Sequence, residues 1–266
     1  MTKSRSRSRQ KIASASPIAS IELIPIPGIP EIRKNSNLSL EITRAAKSAK
    51  IIFLDDDILV VAQKIISKSE GRTVNLSTIR PTPRARELAA KLKKDPRLIE
   101  LILQQSTRIV RSDHVLIVET HHGLVCANAG VDHSNVPGKN LVTVLPKNPD
   151  KSARTLAAAL RRRTKKQIAV IVSDTFGRPW RLGLTNVAIG AAGVPALLDL
   201  RGTRDHTNKR LQATILAVAD ELAAAAGLLM SKSAQLPAIL IRNYRHTHII
   251  DPAARIQRPA NEDLFR

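Results

Sequence analysis

A mixed α/β fold of the α+β type is predicted by three features of the sequence. Short runs of β-branched and aliphatic residues, typical of buried strands, alternate with segments whose apolar residues recur at helical spacing. The alternation is too irregular for a doubly wound Rossmann fold or a barrel. Residues 18–250 contain no linker-like stretch and no repeat of fixed period. We therefore expect a single intertwined unit with mixed sheets.

We interpret the two ends of the chain as lying outside this unit. The first 17 residues carry five basic side chains and no acid, and they lack the apolar stretch of a secretory signal. This composition is typical of a disordered arm, and such an arm can also contact nucleic acid without sequence preference. Residues 251–266 are assigned to a C-terminal tail.

Four helices are predicted from apolar spacing and capping residues. The first follows Ser36 or Asn37, either of which can accept a hydrogen bond from the first turn. The second is interrupted near Pro96, which has no backbone N–H to donate. The third carries seven basic residues, and the fourth repeats apolar residues from Leu211 to Leu229 at spacings of 4 and 3. These helices cover residues 38–49, 84–106, 150–166 and 211–229.

Strands are predicted where β-branched and aliphatic residues run together between polar turns. The first runs into a stiff loop of prolines and Gly28, which excludes a helix there. A segment rich in glycine and arginine, 176–193, is interpreted as a loop followed by an apolar stretch. The predicted strands lie within residues 18–30, 58–62, 114–119, 123–127, 141–145, 168–172 and 238–241.

The charge balance indicates an anionic partner. The 266 residues include 43 Lys and Arg against 22 Asp and Glu, which gives a formal net charge of +21. Aromatic residues make up only 2%, which argues against the base-stacking platforms of single-strand and RNA binders. A lone cysteine, Cys126, excludes an internal disulfide framework, and no apolar run is long enough for a membrane span. We expect a cytoplasmic protein without membrane contact.

Two polar loops that follow predicted strands hold candidate metal ligands. In one loop Asp132 can hold a cation and Asn135 can contact a bound ligand, and the other loop contains Asp174 and Thr175. The carboxyl ends of strands are where α/β proteins keep their sites, and carboxylate and hydroxyl oxygens suit Mg²⁺ or Mn²⁺. The same residues also fit plainer roles, an Asx turn at Asp132 and a cap at Asp174.

Two basic segments are candidate anion sites. Arg178 and Arg181 flank the only tryptophan, where guanidinium groups can bind phosphate bidentately or can stack on the Trp180 ring. Lys64 and Lys68 follow a predicted strand, where they suit phosphate oxygens or form a solvated edge. No standard phosphate loop, zinc spacing or nucleophile elbow occurs in the sequence.

Five motifs occur in a defined order along the chain. They are IPIPG at 24–28, QKIISKSEGR at 63–72, CANAGVDHSNV at 126–136, SDTFGRPWRLG at 173–183, and AIG at 188–190 with DLRG at 199–202. In this order they resemble the coenzyme F420:L-glutamate ligase family, the F420-0 gamma-glutamyl ligases. The resemblance covers about residues 18–245, and five ordered motifs are far more specific than any one of them.

The resemblance implies a dimeric enzyme that uses GTP to join L-glutamate, through γ-linkages, to a phosphorylated deazaflavin coenzyme. GTP would phosphorylate a carboxylate, the amine of glutamate would attack the acyl phosphate, and GDP and phosphate would be released. The resemblance also implies a divalent cation, Mg²⁺ or Mn²⁺, together with a monovalent cation such as K⁺. The basic side chains would hold the anionic reactants together, which is mainly a positioning task.

Carried over residue by residue, the resemblance implies catalytic roles for Asp132, Asp174 and Arg178. A first metal would lie on the two aspartates, and Thr175 would help to hold a second. The residues implied to contact the nucleotide are Ile24, Pro25, Ile26, Pro27, Gln63, Lys64, Lys68, Asn135, Met230, Ser231, Lys232 and Ser233.

One departure from the family pattern falls in the segment that begins at Met230. Family members carry a carboxylate or amide side chain there that assists the second metal, whereas this chain has Lys232 and hydroxyl groups before Gln235. We hypothesise that Lys232 supplies positive charge to a phosphate and so partly replaces the second metal ion.

Two other functions fit the same residues. A related carboxylate–amine ligase with a different acceptor would share the metal and GTP residues. A basic nucleic-acid-binding protein would contact phosphates through the arm and the helix at 150–166, although the sequence has no helix-turn-helix or zinc signature for specific readout.

Overall fold

The computed structural model describes residues 20–134, 136, 138–230, 233 and 235–263. The arm predicted at 1–17 lies outside the described residues. Within them, strands and α-helices interleave as predicted. The strands are β1 (Glu22–Pro25), β2 (Ile58–Ala62), β3 (Thr73–Asn75), β4 (Ser106–Asp113), β5 (Val115–Thr120), β6 (Val125–Ala127), β7 (Leu141–Thr143), β8 (Ala169–Arg178), β9 (Arg181–Ala192), β10 (Leu198–Asp199), β11 (Ile215–Leu216) and β12 (Ala238–Arg242). The α-helices are α1 (Leu38–Ser48), α2 (Gln63–Ser69), α3 (Pro83–Leu92), α4 (Pro96–Gln104), α5 (Pro149–Thr164) and α6 (Val218–Gly227).

A five-stranded mixed sheet forms the centre of the fold, in the order β1-β12-β2-β8-β9. β2 and β8 run parallel, and every other neighbouring pair is antiparallel. β2 has the sequence ILVVA and its first four residues are buried, as expected for a strand that is covered on both faces. The mixed α/β class is confirmed, and the sheet is not the parallel sheet of a Rossmann fold.

Helices cover both faces of this sheet. On one face, α1 and α5 pack over a core that includes Ile42, Leu156 and Val170. On the other face, α6 packs over a core that includes Ile171 and Leu222. Because successive strand residues point to opposite faces, the neighbours Val170 and Ile171 belong to different cores.

A further core lies in the segment between α2 and α5. Here α3 and α4 pack against the sheet β4-β5-β6 and the pair β3-β7, around Ile102 and Leu116. The predicted break near Pro96 is confirmed, since Pro96 opens α4 and the Asp95 side chain accepts a backbone N–H of its first turn. The Asn37 side chain caps α1, as one of the two predicted caps.

The first residues of the predicted C-terminal tail pack against the rest of the fold. Asp251 is buried and its Oδ2 accepts the backbone N–H of Ala196 at 2.8 Å. Ala253 is also buried, and its N–H donates to Asp150 Oδ1 at 2.8 Å. Among the described residues, no helix combines the length and the apolarity that crossing a membrane requires.

The segment 176–193, interpreted from the sequence as a loop and an apolar stretch, is instead a β-hairpin. β8 and β9 stay paired from Val170 to Arg178, and Pro179 and Trp180 form the turn. Trp180 has φ +62° after a proline, which is the geometry of a type II turn. These strands are difficult to recognise in the sequence. The outer half of the hairpin is exposed, is rich in glycine and arginine, and has little apolar patterning.

Two other boundaries also differ from the predictions. The helix predicted to begin at Leu211 begins at Val218, because Leu216 pairs with Leu198 in a short two-stranded ladder. The strand β4 is absent from the predictions because its residues, STRIVRSD, are mostly polar and half of them are exposed. Both differences arise from strand pairing, which no local periodicity reveals.

Candidate functional site

The candidate site lies at the carboxyl end of the parallel pair β2-β8. The pairing of Ala62 with Ser173 places Gln63, the first residue of α2, beside Asp174 of β8. Asp132 reaches the same place from the loop after β6, held by a β-bridge to Thr143. The tertiary structure therefore brings together three of the predicted segments, in the place where α/β proteins keep their sites.

Lys64 is the centre of the hydrogen bonds in this cluster. Its Nζ donates to Asp132 Oδ2, to the Ser134 carbonyl and to Ser134 Oγ, each at 2.7 Å. The Lys64 side chain is 16% exposed and that of Asp132 is 40% exposed. Ser134 was not among the predicted site residues, and its only sequence signal is that it lies two positions after Asp132.

Asp132 is held in its charged form. Burial raises the pKa of Asp132, but hydrogen bonds from Lys64 and Ser134 outweigh burial, so that the pKa lies below its ordinary value. The Ser134 N–H donates to Asp132 Oδ1 at 2.7 Å, which is the Asx turn considered as the plainer role. The turn and the site are compatible because Oδ2 remains directed at Lys64.

Asp174 has the opposite electrostatic environment. Burial, together with the charge of Asp132, raises the pKa of Asp174 to about 7, against the lowering effects of the Thr175 N–H, Lys64 and Gln63. Asp174 lies within β8 and no helix follows it, so the cap interpretation is wrong. The site thus contains one carboxylate that is charged well below neutral pH and one that titrates near it.

Thr175 faces the other side of β8. Its Oγ1 donates to Asn186 Oδ1 at 3.0 Å, and Asn186 Nδ2 lies 3.7 Å from Met230 Sδ. Ser173 Oγ also lies 3.9 Å from Met230 Sδ, which places Ser173 and Thr175 on one face and Asp174 on the other. Sequence reasoning missed Asn186, which pairs with Thr175 across the hairpin.

Lys68 and Gln63 lie on α2, five positions apart. Lys68 Nζ donates to Glu31 Oε1 at 2.5 Å, and its side chain is only 9% exposed, which excludes a solvated edge for this lysine. Gln63 is buried, and its Oε1 accepts a hydrogen bond from Ser67. Glu31 was also missed by sequence reasoning, because nothing local marks a carboxylate that reaches another element.

The segment at 24–27 runs from the end of β1 into the following loop. Ile26 is fully buried in the core and its N–H donates to the Ala238 carbonyl at 3.0 Å, whereas Pro27 is exposed. Ile24 and Pro25 are half-buried in β1. A ligand at this segment can therefore contact Pro27 or the backbone. The Ile26 side chain is buried in the core and is not accessible to a ligand.

Arg178 is not brought to the two aspartates by contacts within the described residues. It lies at the tip of the hairpin, exposed, and its Nη2 donates to the Leu182 carbonyl at 3.0 Å. Four residues of β8 separate it from Asp174, which corresponds to about 13 Å of extended chain. Asn135, Ser231 and Lys232 lie outside the described residues, and Ser233 is exposed.

The donor atoms of the cluster suit a hard divalent cation. Asp132, Asp174 and Ser134 offer carboxylate, hydroxyl and carbonyl oxygens, which Mg²⁺ and Mn²⁺ prefer. Burial raises the pKa of the neighbouring Cys126 thiol to about 12, so it stays protonated and offers no thiolate ligand. No cluster of three or more His, Cys, Asp or Glu able to hold a metal occurs in the described part of the chain.

Comparison with known proteins places these residues in a family. Residues 28–243 match the model of the F420-0:Gamma-glutamyl ligase family. The coenzyme F420:L-glutamate ligase of Methanothermobacter thermautotrophicus is 42% identical over 250 residues, which are 92% of this chain and 99% of that protein. The enzymes of the same name from Methanopyrus kandleri and Methanocaldococcus jannaschii are each 40% identical, over 94% and 80% of this chain and 99% and 85% of their own lengths. The chain therefore belongs to the F420-0:gamma-glutamyl ligase family.

Proposed function

We propose that this chain is a GTP-dependent ligase that adds L-glutamate, by γ-linkage, to a phosphorylated deazaflavin coenzyme. Family membership supports glutamate ligation to an F420-type acceptor. The use of GTP and the acyl-phosphate route are our proposals. The observation that carries them is the cluster of Lys64, Asp132 and Asp174 at the end of the parallel strands.

The chemistry requires two transfers at one place. A carboxylate oxygen of the growing side chain attacks the γ-phosphorus of GTP, the bond from that phosphorus to GDP breaks, and an acyl phosphate forms. The amine of glutamate then attacks the acyl carbon, the carbon–oxygen bond to phosphate breaks, and the amine proton passes to solvent. Both steps bring anions together, so positioning and neutralisation of charge dominate catalysis.

Lys64 and Lys68 are suited to hold the nucleotide phosphates. Both extend from α2 and have low exposure, so their charges act in a partly desolvated place where they are stronger than in water. Lys64 is held by Asp132 and Ser134, and Lys68 by Glu31. These contacts restrict the two ammonium groups before substrate arrives, which reduces the entropy lost on binding.

Asp132 and Asp174 are the residues we propose for a divalent cation. When bound, Mg²⁺ or Mn²⁺ supplies neutralisation of the charge on the transferring phosphoryl group. The Thr175 hydroxyl lies on the opposite face of β8, beside Met230, so a second cation there would be held by a separate set of residues.

A homodimer is part of the proposal. Trp180, Leu182 and Leu184 project from the hairpin with exposures of 86%, 98% and 64%, which is unusual for large apolar side chains. A second copy of the chain that covers this hairpin would remove them from water and would order the loop that carries Arg178.

One assay tests the proposal. Purified protein is incubated with GTP, L-glutamate, Mg²⁺ or Mn²⁺ and the deazaflavin acceptor, and the acceptor mass is measured. We expect gains of whole glutamyl units with stoichiometric release of GDP and phosphate. An acceptor that stays unchanged with both metals would refute the proposal. Turnover with ATP alone would refute the dependence on GTP, and glutamylation of another carboxylate in its place would indicate a ligase with a different acceptor.

A further inference from the structure

One face of α5 carries positive charge that the proposed ligase does not use. At 100° per residue, four cations of this helix fall within an arc of about 100°, and Lys165 follows as its C-terminal cap. All five are exposed, and the opposite side of the helix, with Ala153, Leu156 and Leu160, is buried in the core. We call these five the α5 stripe: Lys151, Arg154, Arg161, Arg162 and Lys165.

The cations of the α5 stripe lack carboxylate partners among the described residues, whereas several other surface cations of the protein are paired. Elsewhere, Lys91 pairs with Asp113 at 2.9 Å, and Arg97 pairs with its neighbour Asp95 at 2.6 Å. Within the described residues, no ion pair joins a carboxylate to any member of the stripe. The charge of the stripe is therefore not balanced by the protein itself.

Part of this arrangement opposes the stability of the helix. Lys151 and Arg154 are like charges at i,i+3, which destabilise a helix by a few tenths of a kcal/mol, whereas Arg161 and Arg162 lie in the last turn, where the helix dipole favours cations. Lys151 lies in the first turn, where the helix dipole also disfavours a cation. A purely solvated face would be better served by mixed charges, so the stripe suits an external anion.

A second basic surface, a cavity that no member of the α5 stripe lines, lies at the end of the helix. The cavity, of about 540 Å³, lies where α1 and α5 end and is lined by Lys47, Lys50, Arg163 and Lys166. Arg163 Nε donates to Ser39 Oγ, and Lys166 pairs with Asp55 at 2.9 Å, whereas Lys47 and Lys50 are exposed. The ends of α1 and α5 therefore share this second positive surface.

We propose that the α5 stripe binds the phosphate backbone of duplex nucleic acid, without sequence preference. From Lys151 to Lys165 the stripe spans about 21 Å, which is a straight, rigid row that can face several successive phosphates. Exposed aromatic side chains that could stack on bases are absent from α5, which argues against single strands. An anionic membrane fits less well, because the apolar side of α5 is buried in the core and cannot enter lipid.

Salt-dependent binding of a fluorescent duplex of 20 base pairs tests this proposal in the full chain. The variant K151Q/R154Q/R161Q/R162Q removes four charges and keeps good helix formers. We expect it to bind the duplex at least tenfold more weakly at about 0.1 M salt, with the slope of log K against log salt reduced by about 3 to 4. Its melting temperature and ligase turnover should equal those of the wild type, because the stripe touches no residue of the candidate site.

A matched control separates local contact from overall charge. The variant R84Q/R86Q/K91Q/K93Q removes four cations from α3 and its C-terminal end, and it should keep at least most of the affinity. An equal loss in this control, or an unchanged slope in the α5 variant, would overturn the proposal. Loss of all duplex binding on deletion of residues 2–16 would overturn it too, as would binding to vesicles with 30% anionic lipid but not to the duplex.

Discussion

At the scale of single residues, Lys64 joins parts of the chain that are far apart in sequence. Its ammonium donates to Asp132, 68 positions away, and to Ser134, 70 positions away. This contact keeps Asp132 charged, while Asp174 beside it is shifted in the other direction by burial. Two carboxylates in one site thus have pKa values on opposite sides of their ordinary value, which is typical of functional sites.

We predict that Asp132→Asn lowers ligase turnover by about 100-fold or more, since an amide neither balances Lys64 nor offers a second anionic oxygen to a cation. Turnover is measured as glutamyl product at saturating GTP and glutamate. Asp113→Asn, at an exposed carboxylate paired with Lys91, is the matched control and should retain full turnover. Equal turnover of the two variants would contradict the role of Asp132.

We also predict that Asp174→Asn stabilises the protein in a pH-dependent way. The folded-state pKa of Asp174, about 7, is above its unfolded value of 3.8, so its contribution to stability is present below pH 4 and is lost as pH rises through 7. The variant should therefore melt several degrees above the wild type at pH 8 in the absence of divalent metal, and the difference should be much smaller at pH 4.5. A gain of the same size at both pH values would contradict burial of the charge as its cause.

At the scale of elements, α5 approaches β9 closely at one position. Gly190 faces the start of α5, where an added Cβ would lie 2.9 Å from the Asp150 nitrogen and closer still to the Pro149 carbonyl. Asp150 in turn accepts N–H groups from Ala191 and Ala253 at 2.8 Å. Asp150 therefore connects the helix, the hairpin and the C-terminal segment to one another.

We predict that Gly190→Ala lowers the free energy of unfolding by about 1–3 kcal/mol, because backbone atoms rather than a flexible side chain meet the new methyl group. Chemical denaturation gives this value. Gly177→Ala, in the same hairpin, is the control, since its nearest contact would be Leu184 Cδ2 at an ordinary 3.9 Å. If both variants lose the same stability, the close approach of α5 is not the cause.

At the scale of the whole molecule, the hairpin and the central sheet have different environments. The sheet is covered on both faces, whereas the outer half of β8 and β9 exposes Trp180, Leu182 and Leu184. The proposed dimer accounts for these apolar side chains, because a second copy of the chain would cover them and remove them from water.

We predict that Leu182→Asp shifts the protein from dimer to monomer, since a charge in a covered apolar contact is desolvated without a partner. Light scattering after size exclusion measures the mass. Ile250→Asp, at a residue that is 89% exposed and far from the hairpin in sequence, is the control and should leave the mass unchanged. A wild-type protein that is monomeric at micromolar concentration would contradict the dimer.

Several features were predictable because they depend on neighbours in sequence. The cap at Asn37, the break at Pro96 and the buried strand at 58–62 follow from local chemistry and are confirmed. The helix predicted from Leu211 was wrong over its first turns because a strand pairing competes with the local pattern. The hairpin was missed because its exposed glycines and arginines give no strand signal.

By itself the sequence determined the family and the class of fold, because ordered motifs and local periodicity are properties of the chain alone. The excess of positive charge was also evident from the sequence, but the exposed row of cations on α5 was not. Only the tertiary structure decided that Lys64 bonds to Asp132 and Ser134, that Asp174 and Thr175 face opposite sides of β8, and that Arg178 lies apart at a hairpin tip. These facts depend on strand register and on contacts between distant segments, and the hydrophobic burial that sets them acts on the whole chain at once.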